Sequence, residues 1–298
     1  IAGVVTDASG SAVPNATIEV TNTATNVSRT VKSGSDGLYT VPFLLPGQYR
    51  VKASLTGFAT LVREGIEVTV SGTARVDLQL QVGQVTEQVT TTAAAALVET
   101  RDATLGIVVD QKKVVDLPLN GRNFAQLGTL LPGVVAPPPS LGGQDGNATV
   151  GGFGNVTGSF NVNGQRNQSN NFMLDGAPNN DSFNSGFIMR PPPDAIQEFK
   201  ILTHSFGAEY GRNAGSVVNV VTRSGSNEWH GGAWIFNRDD SLQARNFFAA
   251  QVPRLKQNQY GGSLGGPLVK DRRFTFVYTE LFNNEQGTTD LRVVPSAE

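Results

Sequence analysis

A serine between glycines is the feature of the sequence that most suggests catalysis. Gly261, Ser263 and Gly265 form a G-x-S-x-G string, as in a hydrolase nucleophile elbow, where a strand precedes the serine and a helix follows it. Gly266 and Pro267 follow at once, so we expect no helix there. The glycines are also spaced as in a phosphate-binding loop, but Pro267 stands where that loop needs lysine. We therefore predict a glycine-rich strand or bend that allows another element to approach closely.

Side chains that could act as acids, bases or metal ligands are few and scattered. Neither histidine, His204 or His230, has a second imidazole or a carboxylate at the spacing of a helical metal site. Asp175 and Asp181 lie among asparagines, but the ladder of an EF-type calcium loop is missing. Cysteine is absent, which excludes disulfides, thiolate catalysis and zinc-thiolate sites. We predict no enzymatic activity, no metal and no cofactor.

Composition favours a folded protein of more than one domain. The length of 298 residues suggests about two domains, and the net charge of -2 gives no positive field that would attract nucleic acid. Uninterrupted apolar runs are far shorter than the roughly 18 residues of a membrane helix, so any membrane crossing has to use strands. The chain begins at Ile1 within a predicted strand, and we expect it to be a piece of a longer protein.

Residues 1–82 alternate short apolar stretches with turn residues, the pattern of a small β-sandwich. About seven strands are predicted, among them Thr17–Asn22 and Gln48–Leu55. Three phrases of this region resemble the carboxypeptidase regulatory-like domain. The resemblance implies a transthyretin/Ig-like β-sandwich that serves as a non-catalytic accessory domain. The phrases are GVVTD from Gly3, DGLY from Asp36 and LPGQYRV from Leu45.

Residues 83–96 form a predicted linker, rich in Thr, Ala, Gln and Val and with little to pack. An exposed segment of this kind can add as a strand to the sheet edge of a partner. The phrase VTEQVTTTA from Val85 resembles a TonB box, which implies a TonB-type energy-coupling protein as partner. An ordinary β-prone linker would have the same composition. The box-like residues are Thr86, Glu87, Gln88, Val89 and Thr90.

Residues 97–225 mix predicted strands with short helices, which indicates an α+β domain. The phrases LPLNGRNF from Leu117 and FGAEYGRNAGSVVNVVTRSG from Phe206 resemble the plug domain of the Oar-like branch of TonB-dependent outer-membrane receptors. In that family the plug closes the lumen of a membrane barrel. Charged side chains of a plug inside the lumen can form ion pairs with the barrel wall. The alternative is that these side chains are ordinary solvated groups on the protein surface. The predicted plug-to-wall residues are Arg122, Arg166, Asp175, Glu209, Tyr210, Arg212 and Arg223.

Local patterns predict the elements of this domain. Phe160–Arg166 and Asn171–Pro178 are predicted as paired central strands, the second with a turn at Asp175–Gly176. Pro193–Phe199 is predicted as a short helix with proline at its start. The other predictions are a strand at Thr104–Val109, a helix at Gln111–Asp116, a helix that places Phe124, Leu127, Leu130 and Leu131 on one face, and a loop over residues 136–158.

Residues 226–298 carry aromatic residues at alternate positions, the pattern of a membrane β-strand. In Arg273–Phe282, Phe276 and Tyr278 share a face that we predict to point towards lipid, although Glu280 breaks the alternation. A barrel that holds a plug needs about 22 strands, whereas roughly three fit here. A soluble amphipathic hairpin is the alternative.

The sequence thus predicts a mainly β, multi-domain chain: a β-sandwich (1–82), a linker (83–96), an α+β plug (97–225) and the first strands of an incomplete transmembrane β-barrel (226–298). The resemblance implies the N-terminal part of a TonB-dependent transporter of an unknown ligand. It also implies the cell outer membrane as the location, with residues 1–96 facing the periplasm. A secreted or cell-surface adhesin or carbohydrate-binding protein is the alternative. The substrate and the direction of transport stay open.

Overall fold

The computed structural model contains, in chain order, a β-sandwich, a mixed α+β unit and a three-stranded sheet. The mainly β, multi-domain fold predicted from the sequence is confirmed. No helix among the described residues has the length and hydropathy to span a bilayer. The structure describes residues 1–83, 88–92, 105–117, 119, 122–135, 149–150, 153–154, 160–166, 169–181, 186–211, 213–245, 252 and 254–286.

The sandwich forms because alternate residues of its strands are apolar and pack between two sheets. Its strands are β1 (Ala2–Thr6), β2 (Thr17–Asn22), β3 (Ser28–Lys32), β4 (Leu38–Thr40), β5 (Gly47–Ser54), β6 (Thr60–Val68) and β7 (Leu78–Gln79). One sheet has the order β4-β1-β7, and the other contains β3, β2, β5 and β6 in that order. Ile18, Val51 and Leu78 are fully buried between them. The hydroxyl of Tyr39 donates to the carbonyl of Val76 at 2.6 Å, so the polar end of a core aromatic is paired.

The linker contains a strand that joins the sandwich. Gln88–Thr92 form β8, which pairs in parallel with β6 and extends that sheet to β3-β2-β5-β6-β8. The register runs from Thr60 opposite Gln88 to Glu64 opposite Thr92. The expectation of a linker with little to pack is therefore wrong for these residues, because their backbone groups pair with the edge that β6 would otherwise leave open.

The α+β unit is built on a sheet of order β15-β14-β17-β16-β9, in which β14 and β17 run parallel. Five phenylalanines lie fully buried on it, at positions 124, 160, 172, 187 and 199. Short 3-10 helices cover Phe124–Leu130, Pro193–Ala195 and Ala208–Tyr210. The other elements are β9 (Leu105–Asp110), α1 (Gln111–Asp116), β10 (Val134–Val135), β11 (Thr149–Val150), β12 (Phe153–Gly154), β13 (Asn161–Val162), β14 (Asn171–Leu174), β15 (Ala177–Pro178), β16 (Ile196–His204) and β17 (Val217–Thr222).

Helix α1 has the bounds that the sequence predicts. The carboxylate of Asp110 accepts a hydrogen bond from the amide of Lys113 at 2.9 Å, which caps the first turn. The helix ends at Asp116 because Leu117, the residue before Pro118, adopts an extended conformation. The predicted turn at Asp175–Gly176 is also confirmed, since both residues have positive φ between β14 and β15.

Three predictions for this unit are wrong in detail. β13 pairs with β10 rather than with β14, because both edges of β14 are taken, one by β15 and the other by β17, whose first four residues are buried. Leu130 ends its 3-10 helix and is 70% exposed, since the chain leaves the core there and Leu131 takes the buried position. The helix predicted from Pro193 stops at Ala195, because Ile196 already lies buried in β16. The loop predicted over residues 136–158 lies mostly outside the described residues, which include only the β11–β12 hairpin there.

The C-terminal part forms an antiparallel sheet of three strands, the number that the sequence predicts. Its strands are β18 (His230–Asp239), β19 (Leu255–Val269) and β20 (Arg273–Gln286). Gly261–Gly266 lie within β19, so the prediction of a glycine-rich strand is confirmed. A Cβ atom at Gly261 would lie 2.9 Å from the ring of Trp234 on β18, so only glycine leaves room for that ring.

The faces of this sheet are the reverse of the prediction. Trp234, Gly261 and Glu280 lie opposite one another on one face, and the side chains of that face contact the α+β unit. Phe276 and Tyr278 share this face and are half-buried. The opposite face carries exposed apolar side chains. They include Ile235, Tyr260, Leu264, Val277 and Leu281.

Candidate plug-to-wall contact and coupling segment

Arg122 is one of the side chains that link the α+β unit to the three-stranded sheet. It lies between α1 and the 3-10 helix at Phe124, with φ of 55° in the left-handed region. This backbone conformation turns the chain from one helix to the next. Only 11% of the Arg122 side chain is exposed, so the guanidinium group depends on protein partners rather than water.

The partners of Arg122 come from both bodies. Its guanidinium group forms an ion pair with Asp194 of the α+β unit, and its Nε lies 3.4 Å from Oε2 of Glu280 on β20. The contact between Arg122 and Glu280 is an ion pair without a hydrogen bond, because Nε of Arg122 has no hydrogen-bond partner. The guanidinium carbon lies 4.1 Å from the ring centre of Phe236 and 5.7 Å from that of Trp234, which adds cation–π attraction.

The surroundings of Arg122 explain why the aromatic face of β20 points to the α+β unit and not, as predicted, towards lipid. Glu280 also accepts a hydrogen bond from Nε1 of Trp234 at 2.8 Å, and its side chain is only 18% exposed. A carboxylate on a lipid-facing position would be costly, whereas on this face it has two partners. The face that carries Glu280 therefore faces the α+β unit, and the aromatic residues in register with it face the same way.

Arg223 makes a second contact of the same kind. Its guanidinium carbon lies 5.4 Å from the ring centre of Phe276 on β20, and its amide donates to the carbonyl of Ala195 at 2.8 Å. Burial lowers the pKa of Arg223, and the negative charge of Asp194 acts in the opposite direction. Asp175 is hydrogen-bonded within its own unit, where its carboxylate accepts from the amide and the hydroxyl of Thr222, each at 2.8 Å, and its charge also acts on Tyr278 of β20.

The other predicted contact residues have different surroundings. Tyr210 is placed against the sandwich, because its hydroxyl donates to Oγ of Ser71 at 2.9 Å. Glu209 is exposed, and its carboxylate folds back over Gly207, where a Cβ atom would lie 2.2 Å from Oε2. Arg166 is exposed, and Arg212 lies outside the described residues. The structure therefore brings Arg122 and Arg223 to the three-stranded sheet, and their role as plug-to-wall residues stays a prediction.

The sandwich is attached to the α+β unit through the turn at Ser71. The Oγ of Ser71 also accepts from the side-chain amide of Asn219 at 2.9 Å, and its carbonyl accepts from Nζ of Lys200 at 3.2 Å. The neighbouring amide of Val70 donates to the carboxylate of Glu198. Burial raises the pKa of Glu198 to about 6, although the hydrogen bond from Val70 lowers it. The junction is thus polar and mostly buried, and it contains a carboxyl group whose pKa is raised by burial.

The sandwich also contacts the turn between β19 and β20. The side-chain amide of Asn26 donates to Asp271 at 2.8 Å, and the amide of Asn227 donates to the carbonyl of Ala24 at 3.0 Å. This turn covers only residues 270–272, whereas the connection from β18 to β19 covers residues 240–254. The sandwich therefore lies at the end of the sheet that has the short turn.

The box-like segment lies partly within the described residues. Thr86 and Glu87 lie outside them, whereas Gln88, Val89 and Thr90 begin β8. These three residues are the register partners of Thr60–Val62 on β6. The segment is therefore extended, as strand addition requires, and one of its edges is already paired.

A cleft of about 910 Å³ opens beside β9 at the edge of the sheet of the α+β unit. Apolar residues such as Leu105 and Ile107 line it together with Asn163, Gln165 and His204. None of the predicted plug-to-wall residues that the structure describes lines it. Within the described ranges, no group of three or more His, Asp or Glu side chains is arranged to hold a metal ion.

Sequence reasoning missed the partners that make these contacts. Asp194 and Glu280 are distant from Arg122 in the sequence, and nothing local pairs them. One signal was available, because Glu280 interrupts an aromatic face, and a carboxylate on a face that contacts lipid is energetically unfavourable. The junction at Ser71 and Glu198 left no such signal, because each residue type is ordinary at its own position.

Comparison with known proteins finds three family models along the chain. A carboxypeptidase regulatory-like domain matches residues 1–81, a TonB-dependent receptor plug domain matches residues 99–218, and an outer membrane beta barrel domain matches residues 221–298. The three models follow one another in the order of the sandwich, the α+β unit and the three-stranded sheet.

Curated relatives agree with these matches. The TonB-dependent transporter Oar of Myxococcus xanthus is 28% identical over 316 residues, which cover 99% of this chain and 28% of the relative. The ferrienterobactin receptor of Escherichia coli is 31% identical over 114 residues, 37% of this chain and 15% of the receptor. The chain thus spans well under half the length of these relatives. A solved structure, the siderophore receptor PirA from Acinetobacter baumannii, superposes with a TM-score of 0.44 at 22% identity, covering 63% of this chain and 26% of that one.

Proposed function

Because the chain belongs to the Oar-like branch of TonB-dependent outer-membrane receptors, we propose that it forms the plug and the first barrel strands of a gated transporter. Residues 97–225 act as the plug, residues 226–298 begin the wall, and residues 1–82 are an accessory domain. A ligand on the outer side and a pull from the inner side together shift the plug and open a path. No bond is made or broken, in keeping with a family whose members are transporters and not enzymes.

The observation that carries this proposal is the position of Arg122. Its charge lies between Asp194 on the plug and Glu280 on the wall, largely shielded from water. A pair of this kind holds two bodies in one register, and water can replace it when they are pulled apart. The contact therefore supports a plug that is fixed at rest and displaceable under load. The matches to a receptor plug domain and an outer membrane beta barrel domain favour a transporter over an adhesin.

The lengths of the strand connections support a periplasmic place for residues 1–96. Outer-membrane barrels have short periplasmic turns and longer extracellular loops. The short turn at residues 270–272 is the one that contacts the sandwich through Asp271, whereas the longer connection lies at the other end of the strands. The sandwich therefore lies on the periplasmic side, below the plug.

Energy coupling through Thr86–Thr90 is part of the proposal. A TonB-type protein in the periplasm would capture the segment by strand addition and pull on the plug through the residues that follow it. The extended conformation of Gln88–Thr92 supports this role. The ligand is an unidentified solute too large for an open pore. Two of the relatives are named for siderophores, and nothing in the described residues selects that class for this chain.

The test is the conductance of the full-length receptor in a planar lipid bilayer. The intact receptor should be closed at rest, and a variant without residues 97–225 should conduct continuously because the lumen is empty. Equal conductance of the two proteins would refute the plug role. Binding of the periplasmic domain of a TonB-type protein, compared between the natural receptor and Val89→Pro, tests coupling separately, since proline removes a backbone donor from the added strand.

A further inference from the structure

The linker strand β8 has a binding partner within the chain. Gln88–Thr92 pair in parallel with Thr60–Glu64 of β6 through five consecutive register positions. β6 is otherwise the last strand of its sheet, and it offers the unpaired backbone groups that attract an added strand. The sandwich thus binds the segment by the same backbone chemistry that a coupling protein would use.

The strength of this pairing suits a contact that forms and breaks. β8 is only five residues long, it lies at the end of its sheet, and its pairing is parallel, which is slightly less stable per residue than antiparallel pairing. Edge strands with few neighbours belong to the parts of a protein that open locally at low cost. The β6–β8 pair is therefore a part of this sheet that can separate at low cost.

The path of the pulling force argues that the pair has to separate. A pull on Gln88–Thr92 reaches the plug most directly through the residues that follow the segment in the chain. While β8 remains on β6, part of the load passes into the sandwich instead. The sandwich is itself held to the plug at Ser71 and to the wall turn at Asp271, so it would resist the movement.

We propose that the β6 edge of the sandwich is a storage site for the coupling segment. It holds Gln88–Thr92 as an added strand in the resting receptor and gives the segment up when the strand of the coupling protein replaces β6. The sandwich then has a specific role, because it keeps a β-prone segment from pairing at random. It also lowers the apparent affinity of the segment for the coupling protein by the fraction of time that the segment is stored. This inference rests on the coupling role proposed above.

A reversible cross-link between the two strands tests the proposal. Val62 and Thr90 are register partners, and the chain has no cysteine of its own. A Val62→Cys/Thr90→Cys variant of the full-length receptor places two thiols on adjacent strands, about 5 Å apart at Cα, within the range that a disulfide spans. The control is Gln48→Cys/Glu67→Cys, which joins two exposed register partners of β5 and β6 and leaves β8 free.

The measurement is binding of the periplasmic domain of a TonB-type protein to each receptor in detergent, before and after reduction. We expect the oxidised Val62→Cys/Thr90→Cys receptor to lose binding by at least roughly tenfold and to regain it on reduction, since a locked segment cannot exchange. The control should bind equally in both states. Reduction of both receptors shows that the thiols themselves do not alter binding.

Each other outcome has a distinct meaning. If the disulfide does not form under oxidation, the strands are not neighbours in the receptor and storage is refuted. If the cross-linked receptor binds as well as the control while Val89→Pro does not bind, storage is refuted and the coupling role stands. If Val89→Pro also binds normally, the coupling role itself is refuted, and storage of a coupling segment is refuted with it.

Discussion

Replacing Arg122 with alanine should loosen the plug from the wall. Arg122, Asp194 and Glu280 have side chains that are 11%, 24% and 18% exposed, so all three charges are mostly removed from water. Alanine leaves two carboxylates close together without the cation between them. Removing one partner of a buried ion pair costs about 3–5 kcal/mol, and we take the lower end, about 3 kcal/mol, because these groups are not fully buried.

The lost free energy destabilises the closed state, in which the plug is in place, and leaves the displaced state unchanged. A loss of about 3 kcal/mol changes the ratio of displaced to closed plug by roughly a hundredfold. Arginine and alanine bear a similar backbone strain at a φ of 55°, so the change reports on the side chain and not on the turn. Lysine at this position keeps the charge but loses the planar fork and the contact with Phe236, so Arg122→Lys should give an intermediate value.

Single-channel recording of the full-length receptor in a planar bilayer measures the open fraction directly. The matched control is Arg75→Ala, which removes an arginine from an ion pair with Asp77 whose two side chains are 48% and 42% exposed. That change should cost at most about 1 kcal/mol and leave the open fraction almost unchanged. If Arg122→Ala and Arg75→Ala give the same open fraction as the natural receptor, the proposed role of Arg122 is wrong.

Three further predictions concern the junctions and the wall. Glu198→Gln should stabilise the sandwich-to-plug junction by up to about 2 kcal/mol near pH 7 and have no such effect below about pH 4.5, because a carboxyl group with a raised pKa, here about 6, stabilises the fold only while it is protonated. Hydrogen exchange of the Val70 amide at both pH values checks this, and equal protection of that amide in the two proteins at pH 7 would contradict it. Ser71→Ala should weaken the same junction by about 1–3 kcal/mol, since two partly buried donors, on Tyr210 and Asn219, lose their acceptor. Faster cleavage by protease between sandwich and plug is the measurement, and an unchanged rate would count against the role of Ser71. Gly261→Ala should lower the thermal stability of the folded barrel by about 1–3 kcal/mol, because the added Cβ meets the backbone carbonyl of Thr279 and lies 2.9 Å from the ring of Trp234. Heat-dependent gel mobility measures this, with an unchanged melting temperature as the contrary result.

The elements that the sequence predicted well are those with local causes. Thr17–Asn22 has the predicted bounds because its alternation of apolar and polar residues decides which face is buried. Helix α1 has the predicted bounds because Asp110 caps its start and the residue before proline ends it. In the wall, the alternation of aromatic residues predicts the strand from Arg273, and the number of three strands follows from the length of chain after residue 225.

The elements that it predicted poorly depend on distant partners. Alternation shows that two faces of β20 differ, but only Arg122, more than a hundred residues away in the sequence, decides which one faces inward. The pairing of β8 with β6 has no local signal either, because a Val/Thr-rich segment can add to any open edge. For the same reason the sequence could name Arg122 as a contact residue but not its partners.

The most direct test of the central claim is the accessibility of spin labels on β20 in the full-length receptor in lipid bilayers. The claim is that the face with Tyr278 and Glu280 points to the plug and the face with Val277 and Leu281 points to lipid. Labels attached at a cysteine in place of Val277 should be accessible to oxygen dissolved in the bilayer, and those in place of Tyr278 should not. Removal of the plug should expose position 278 to a water-soluble relaxing agent. Oxygen accessibility at position 278 and none at position 277 would contradict the account.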